Sequence, residues 1–113
     1  MSSKLQNYVR THRRRAGLSQ EDMALLLGCK SGAKISRYER FARQPSLETV
    51  FAYEAIFGVP ARELFAGVYE QARAAIQSRV GALSESLEGE NTDASTARKR
   101  EFLNKVASSY KPF

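Results

Sequence analysis

The chain has 113 residues, with 18 Lys and Arg against 12 Asp and Glu, one His, one Cys, no Trp and three Pro. That length suits one domain with an appended arm and leaves no room for a two-domain enzyme, while 42% apolar residues suffice for a compact core. The net charge of +6 is lopsided: residues 1–57 carry ten basic and five acidic side chains and residues 58–113 eight and seven, so the front half either meets an anionic partner or uses its charge for solubility alone.

In chain order the first signal is helical. Leu5, Tyr8, Val9 and His12 recur at i, i+3, i+4 and i+7, predicting a helix that ends near Ala16-Gly17. Ser19 is an N-cap with Asp22 three residues on; Met23, Ala24 and Leu27 form one face of a short helix that stops at Gly28. Ser31 caps a third helix, Gly32 to about Glu39, which buries Ile35 and Tyr38. After Pro45, Ser46 caps a fourth, with Leu47, Val50, Phe51, Tyr53 and Phe57 as its expected buried stripe and Gly58 as its end. Pro60 opens a fifth near Ala61, with Leu64, Phe65 and Val68 facing the core. No sustained apolar/polar alternation bounded by hairpin turns occurs, so the expected fold class is all-α.

Beyond Gly67 the pattern changes. Tyr69, Ala72, Ile76, Val80, Leu83 and Leu87 step by three or four residues, an amphipathic seam that either folds back on the first domain or pairs with another chain. A polar, turn-rich stretch near 88–95 reads as a linker, and Thr96–Tyr110 as a last helix presenting Phe102, Val106 and Tyr110. Its start carries Arg98-Lys99-Arg100, which opposes the helix dipole. The expected division is 1–67 and 68–113, the second part a helical extension and dimerisation arm.

Catalytic constellations are scarce. With His12 and Cys29 as the sole His and Cys, no metal cluster of His/Cys spacing can be built, and no phosphate-binding glycine loop or serine elbow occurs. Cys29 reads as a packed thiol and His12 as a core-edge or phosphate-facing ring. The expectation is therefore no enzyme, no cofactor and no metal. One Cys excludes an internal disulfide and fits a reducing, cytoplasmic setting. The longest apolar run, Met23–Leu27, is far short of a membrane span, and no secretory signal is read in Met1–Arg15.

The informative constellation is Gly17-Leu18-Ser19-Gln20-Glu21-Asp22-Met23-Ala24 closing on Leu27-Gly28, then Ile35-Ser36-Arg37-Tyr38-Glu39-Arg40, then Pro45-Ser46-Leu47-Glu48-Thr49. Two short helices joined by a turn, the second richer in basic and small polar residues, form a helix-turn-helix arrangement, which thrusts its second helix into the major groove. This order of motifs resembles the Xre/Cro and phage-repressor family of DNA-binding domains over residues 5 to about 66, and the resemblance implies a five-helix, lambda-repressor-like domain. It implies that Gln20 braces a backbone phosphate and the recognition helix. Base-facing positions correspond to Gly32, Ala33, Lys34 and Arg37, with Ser36 alongside and Lys30 and Ser31 leading in. Arg40 and Arg43 fall where the family contacts phosphates, and Arg13 matches an arginine that pairs with the glutamate corresponding to Glu39. Arg10, Arg14 and Arg15 are either a solvated face or a phosphate attraction.

The chain departs from the family pattern in four places. Six residues, Cys29 to Lys34, separate Gly28 from Ile35 where five are usual; the Ser31 cap places the extra one in the turn, the alternative being a shifted recognition helix. Gly32 and Ala33 replace longer polar side chains, leaving base reading to Lys34 and Arg37. Phe41 stands where glycine is preferred and reads as a buried anchor for the next loop. Leu25 and Leu26, at positions usually polar, either pack within the chain or contact a partner. The resulting expectation is a sequence-specific DNA-binding regulator, a repressor acting as a homodimer on double-stranded DNA. Its seam runs through Tyr69, Ala72, Ile76, Val80, Leu83 and Leu87, completed by Phe102 and Val106. The rival is an antitoxin-like or adaptor protein whose C-terminal arm binds a protein partner, DNA binding serving autoregulation.

Overall fold

The computed structural model describes residues 4–89 and 93–109, which form α-helices joined by turns, with no strand among the described residues. In chain order these are α1 (Val9–Arg15), α2 (Gln20–Leu27), α3 (Gly32–Glu39), α4 (Leu47–Phe57), α5 (Ala61–Leu64), α6 (Ala66–Ser86) and α7 (Ala94–Ser108). No described helix is long and apolar enough to cross a membrane. The chain divides into two compact units, the first ending at Tyr69 and the second beginning at Glu70.

Local chemistry sets the helix ends of the first unit. Ser19 Oγ accepts from Asp22 N (3.0 Å) while Asp22 Oδ2 accepts from Ser19 N (2.9 Å), a reciprocal cap that starts α2. Ser31 Oγ accepts from Ala33 N and Ser46 Oγ from Thr49 N, starting α3 and α4. α2 and α4 stop on the left-handed residues Gly28 and Gly58. α3 thus begins at Gly32 directly after its Ser31 cap, and Cys29 and Lys30 belong to the turn between α2 and α3.

Val9, Met23, Ile35, Tyr38, Tyr53 and Leu64 are the centre of the core, drawn from α1 through α5. Tyr53 is its hub, with ring centroids 6.5 Å from Tyr38, 6.1 Å from Phe57 and 6.1 Å from Phe65. Its hydroxyl is buried and finds no hydrogen-bond partner among the described residues; burial, then the charge of Glu39, pushes the phenol pKa up. The segment ahead of α1 closes the bundle: Tyr8 N donates to Leu64 O (2.7 Å) and Gly67 N to Leu5 O (2.8 Å). A Cβ at Gly67 would lie 2.3 Å from that Leu5 oxygen, so only glycine lets the two backbones meet.

Three expectations need correction here. Leu47 and Phe51 are not in the α4 core stripe; they are 70% and 55% exposed, because the buried face is centred on Val50, Tyr53 and Phe57 with Ile56 at its edge. Leu5 is also largely exposed, and α1 begins only at Val9. Phe41 is no buried anchor. It is exposed with φ +64°, the left-handed backbone that explains why glycine is favoured there.

In the second unit, α6 and α7 pack through Val80, Leu87 and Leu103, with Val106 against them. Gln77 Nε2 donates to Val106 O (3.1 Å), and Arg100 donates from its guanidinium to Leu87 O. Asp93 caps α7 by accepting from Thr96 N (2.7 Å), so the helix starts two residues before the expected Thr96 and the stretch 93–95 is its cap and first turn. Val80, Leu87 and Val106 thus meet within one chain rather than being left wholly for a partner. The α7 residue facing α6 with Val106 is Leu103, while Phe102 is 65% exposed. Tyr110 and residues 90–92 of the expected linker lie outside the described residues.

Candidate nucleic-acid interface

The candidate site is built on α2, the turn after it, α3 and the loop that follows. α3 is amphipathic in a way that separates support from reach. Ile35 and Tyr38 sink into the core, while Ala33 and Arg37 are exposed and Lys34 and Ser36 half-buried on the outer side. Ala33, Lys34 and Arg37 fall at i, i+1 and i+4, one helical face. Together with Lys30 and Ser31 from the turn, and with Cys29 at the base, they line one open depression. Three cations, Lys30, Lys34 and Arg37, therefore share a concave surface.

Gly32 is not part of that surface, which corrects its assignment as base-facing. It is buried against α2: its N–H donates to Glu21 Oε1 (2.8 Å), and a Cβ would sit 3.1 Å from Gln20 Cβ. The residue sets how closely the two helices approach. Glu21 was missed in the sequence because its partner lies across the turn, and its own position, the second residue of α2, reads as an ordinary acidic first turn.

A buried network fixes the far end of α3. Arg13 Nε donates to Glu39 Oε2 (2.6 Å), its second terminal nitrogen to Glu39 Oε1 (3.0 Å) and its first to Leu18 O (2.8 Å). The side chains are only 11% and 2% exposed, so α1 is tied to α3 by a two-pronged, nearly dry ion pair. Hydrogen bonding to Glu39 raises the Arg13 pKa despite burial. Gln20 Nε2 also donates to Glu39 Oε1 (3.1 Å), so this side chain braces α3 directly. Asn7, a second residue sequence reasoning missed, is buried and donates from Nδ2 to Tyr38 O (3.0 Å). Its signal was absent because an isolated Asn ahead of a helix looks like any polar loop residue.

Beyond α3 the chain turns back through Phe41. Ala42 N and Arg43 N both donate to Arg37 O (2.9 and 3.3 Å), and Arg40 Nε donates to Ser36 Oγ (3.1 Å). Arg40 and Arg43 are exposed, and Arg10, Gln20, Ser36 and Arg40 line a small pocket beside the Arg13–Glu39 pair. In that pocket the ion pair cancels itself, leaving Arg10 and Arg40 as its net charge. The other two candidates with chemistry of their own are packed: His12 lies against Phe57 (ring centroids 5.6 Å) and Cys29 against the core. Leu25 and Leu26 remain 80% and 54% exposed, so neither belongs to the core formed by the described residues.

Two short helices held at a fixed approach, the second with a buried inner face and a cationic outer face, define a helix-turn-helix protein. Residues 9–64 match the family model for Helix-turn-helix, and this segment belongs to the Xre/Cro-like branch of DNA-binding transcription regulators. No curated protein and no solved structure matches the chain.

Proposed function

We propose that the chain is a sequence-specific repressor that binds double-stranded DNA as a homodimer in the cytoplasm, in a binding role rather than a catalytic one. The observation that carries this reading is the placing of half-buried Lys34 and exposed Arg37 on the outer face of an α3 whose inner face and end are locked by Ile35, Tyr38 and the Arg13–Glu39 pair. Lys34 and Arg37 read base edges, each good pair discriminating by about 1–3 kcal/mol. Lys30, Ser31 and Ala33 line the approach, while Gln20, Ser36, Arg40 and Arg43 serve backbone phosphates. The working division is a DNA-binding part over 1–67 and an assembly arm over 68–113. In the arm, Ala72, Ile76 and Leu83 remain for a partner, since Val80, Leu87 and Val106 are engaged within the chain; Ile76 and Leu83 are 45% and 44% exposed.

Genomic footprinting followed by gel shifts on the sites found tests the reading. Arg37→Ala is expected to change base preference, whereas Arg43→Ala weakens all sequences alike. Binding with no discrete site overturns the specific-repressor reading, and equal effects of both substitutions overturn the division of labour. The exposed pair Leu25-Leu26 favours one second reading, an antitoxin-like or adaptor protein with a foreign protein partner. A stoichiometric foreign partner in a pull-down supports it; sedimentation as a lone homodimer supports the repressor.

A further inference from the structure

The outer face of α4 is used by nothing described above. Leu47, Phe51, Ala55 and Gly58 succeed one another at i, i+4, i+8 and i+11, which places them on a single stripe. The stripe leads into a groove of about 400 Å³ lined by Phe51, Glu54, Ala55, Gly58, Val59 and Pro60. Leu47 and Phe51 are more than half exposed. Glu48 and Glu54 flank the stripe on opposite sides, and no Lys or Arg occurs between Arg43 and Arg62. In a chain of net charge +6 this is an apolar strip with an acidic border.

Its chemical complement lies on α7. Phe102, exposed at the edge of the Leu103–Val106 contact, is flanked on its own helix face by Arg98 (i−4), Lys99 (i−3) and Lys105 (i+3), all exposed, and by half-buried Val106 (i+4); Glu101 is displaced by a helical step of about 100° from that face. An aromatic anchor ringed by three cations fits an apolar groove bordered by carboxylates, with the ring displacing water and the cations facing Glu48 and Glu54.

We propose that α7 of one copy docks Phe102 into the α4 groove of a second copy, so that each protomer's arm clasps the partner's DNA-binding unit. The occupant is a second copy of this chain because the matching face is in the chain itself and the two faces carry opposite charge. Two-fold symmetry forms the contact twice, doubling a surface that one helix alone would leave too small for a stable dimer. This docking rests on the homodimer reading and adds to it: Ile76 and Leu83 join arm to arm, and Phe102 joins arm to α4.

Sedimentation equilibrium of the full chain, with circular dichroism to verify helicity, tests it. Phe102 is exposed, so Phe102→Ala folds; its dimer dissociation constant is expected to rise at least tenfold. Glu48→Lys alone and Arg98→Glu with Lys99→Glu are each expected to weaken the dimer about threefold to tenfold. All three substitutions in one chain are expected to restore it, because the reversed charges face one another again. A wild-type dimer indifferent to Phe102→Ala, or weakened by the charge reversals with no restoration on combining them, overturns the docking. If Ile76→Glu with Leu83→Glu still breaks such a dimer, the homodimer reading stands without the docking. A monomeric wild type overturns both.

Discussion

Phe41 and Tyr53 carry their cost in different currencies. Phe41 holds a left-handed φ of +64° at 38% exposure, a conformation that disfavours any side chain by about 1–2 kcal/mol. Phe41→Gly is therefore expected to raise stability by about 1 kcal/mol in urea unfolding; a loss would mean the ring packs usefully after all. Tyr53 fits its ring among three aromatic neighbours, yet buries a hydroxyl without a partner among the described residues. Tyr53→Phe keeps the ring and removes that oxygen, so a gain of about 1 kcal/mol is expected from the thermal midpoint. An unchanged or lower midpoint would show the oxygen to be satisfied. Hydrophobicity alone misassigns Phe41 as an anchor, because the sequence names a side chain and leaves its φ open. Arg13 and Glu39 were legible only through the family pattern, and Asn7 and Glu21 not at all, since their partners lie on other elements.

Helix ends were legible and helix faces only partly so. Ser19 with Asp22, Ser31, Ser46, Gly28 and Gly58 act within a few residues of themselves, so a local reading suffices. α4 is apolar nearly all round, and periodicity cannot say which flank meets the core; Leu47 and Phe51 were placed one step too far inward. In α7 the same ambiguity favoured Phe102 over Leu103, neighbours about 100° apart on the helix. Two caps also carry a pH signature. Backbone and side-chain hydrogen bonds from Ser19 hold the Asp22 carboxyl below its usual range, and those from Thr96 do the same for Asp93. A depressed folded-state pKa gives stability that is complete above the unfolded value and lost as pH falls through the folded one. Helicity is thus expected to decline below about pH 4. Asp93→Asn keeps a capping oxygen without the charge, so its acid titration by circular dichroism is expected to be flatter. Superimposable wild-type and variant curves would remove Asp93 from the acid transition.

At the scale of the molecule, charge is divided unevenly along the chain. Residues 1–57 hold ten of the 18 basic side chains and only five of the 12 acidic ones, and that stretch contains α3 and the loop after it. Six phosphates neutralised by a bound dimer would give a log–log salt slope of about −5. Titrating DNA affinity against salt checks this; a slope near −1 would mean that most of these cations point to solvent. The near-balanced remainder carries the α6–α7 contact and the face presented by Phe102.

The meeting of Leu5 and Tyr8 with Gly67 and Leu64 has a consequence for the order in which the chain folds. The caps of α2, α3 and α4 close within three residues, but these two backbone bonds span roughly sixty, and the loop they close is the costliest in the first unit to bring together. During synthesis Leu5 and Tyr8 leave the ribosome well before Leu64 and Gly67, so these two backbone bonds wait until the far end of the unit has emerged. The DNA-binding unit is thus sealed last by its earliest residues, after its recognition helix has formed.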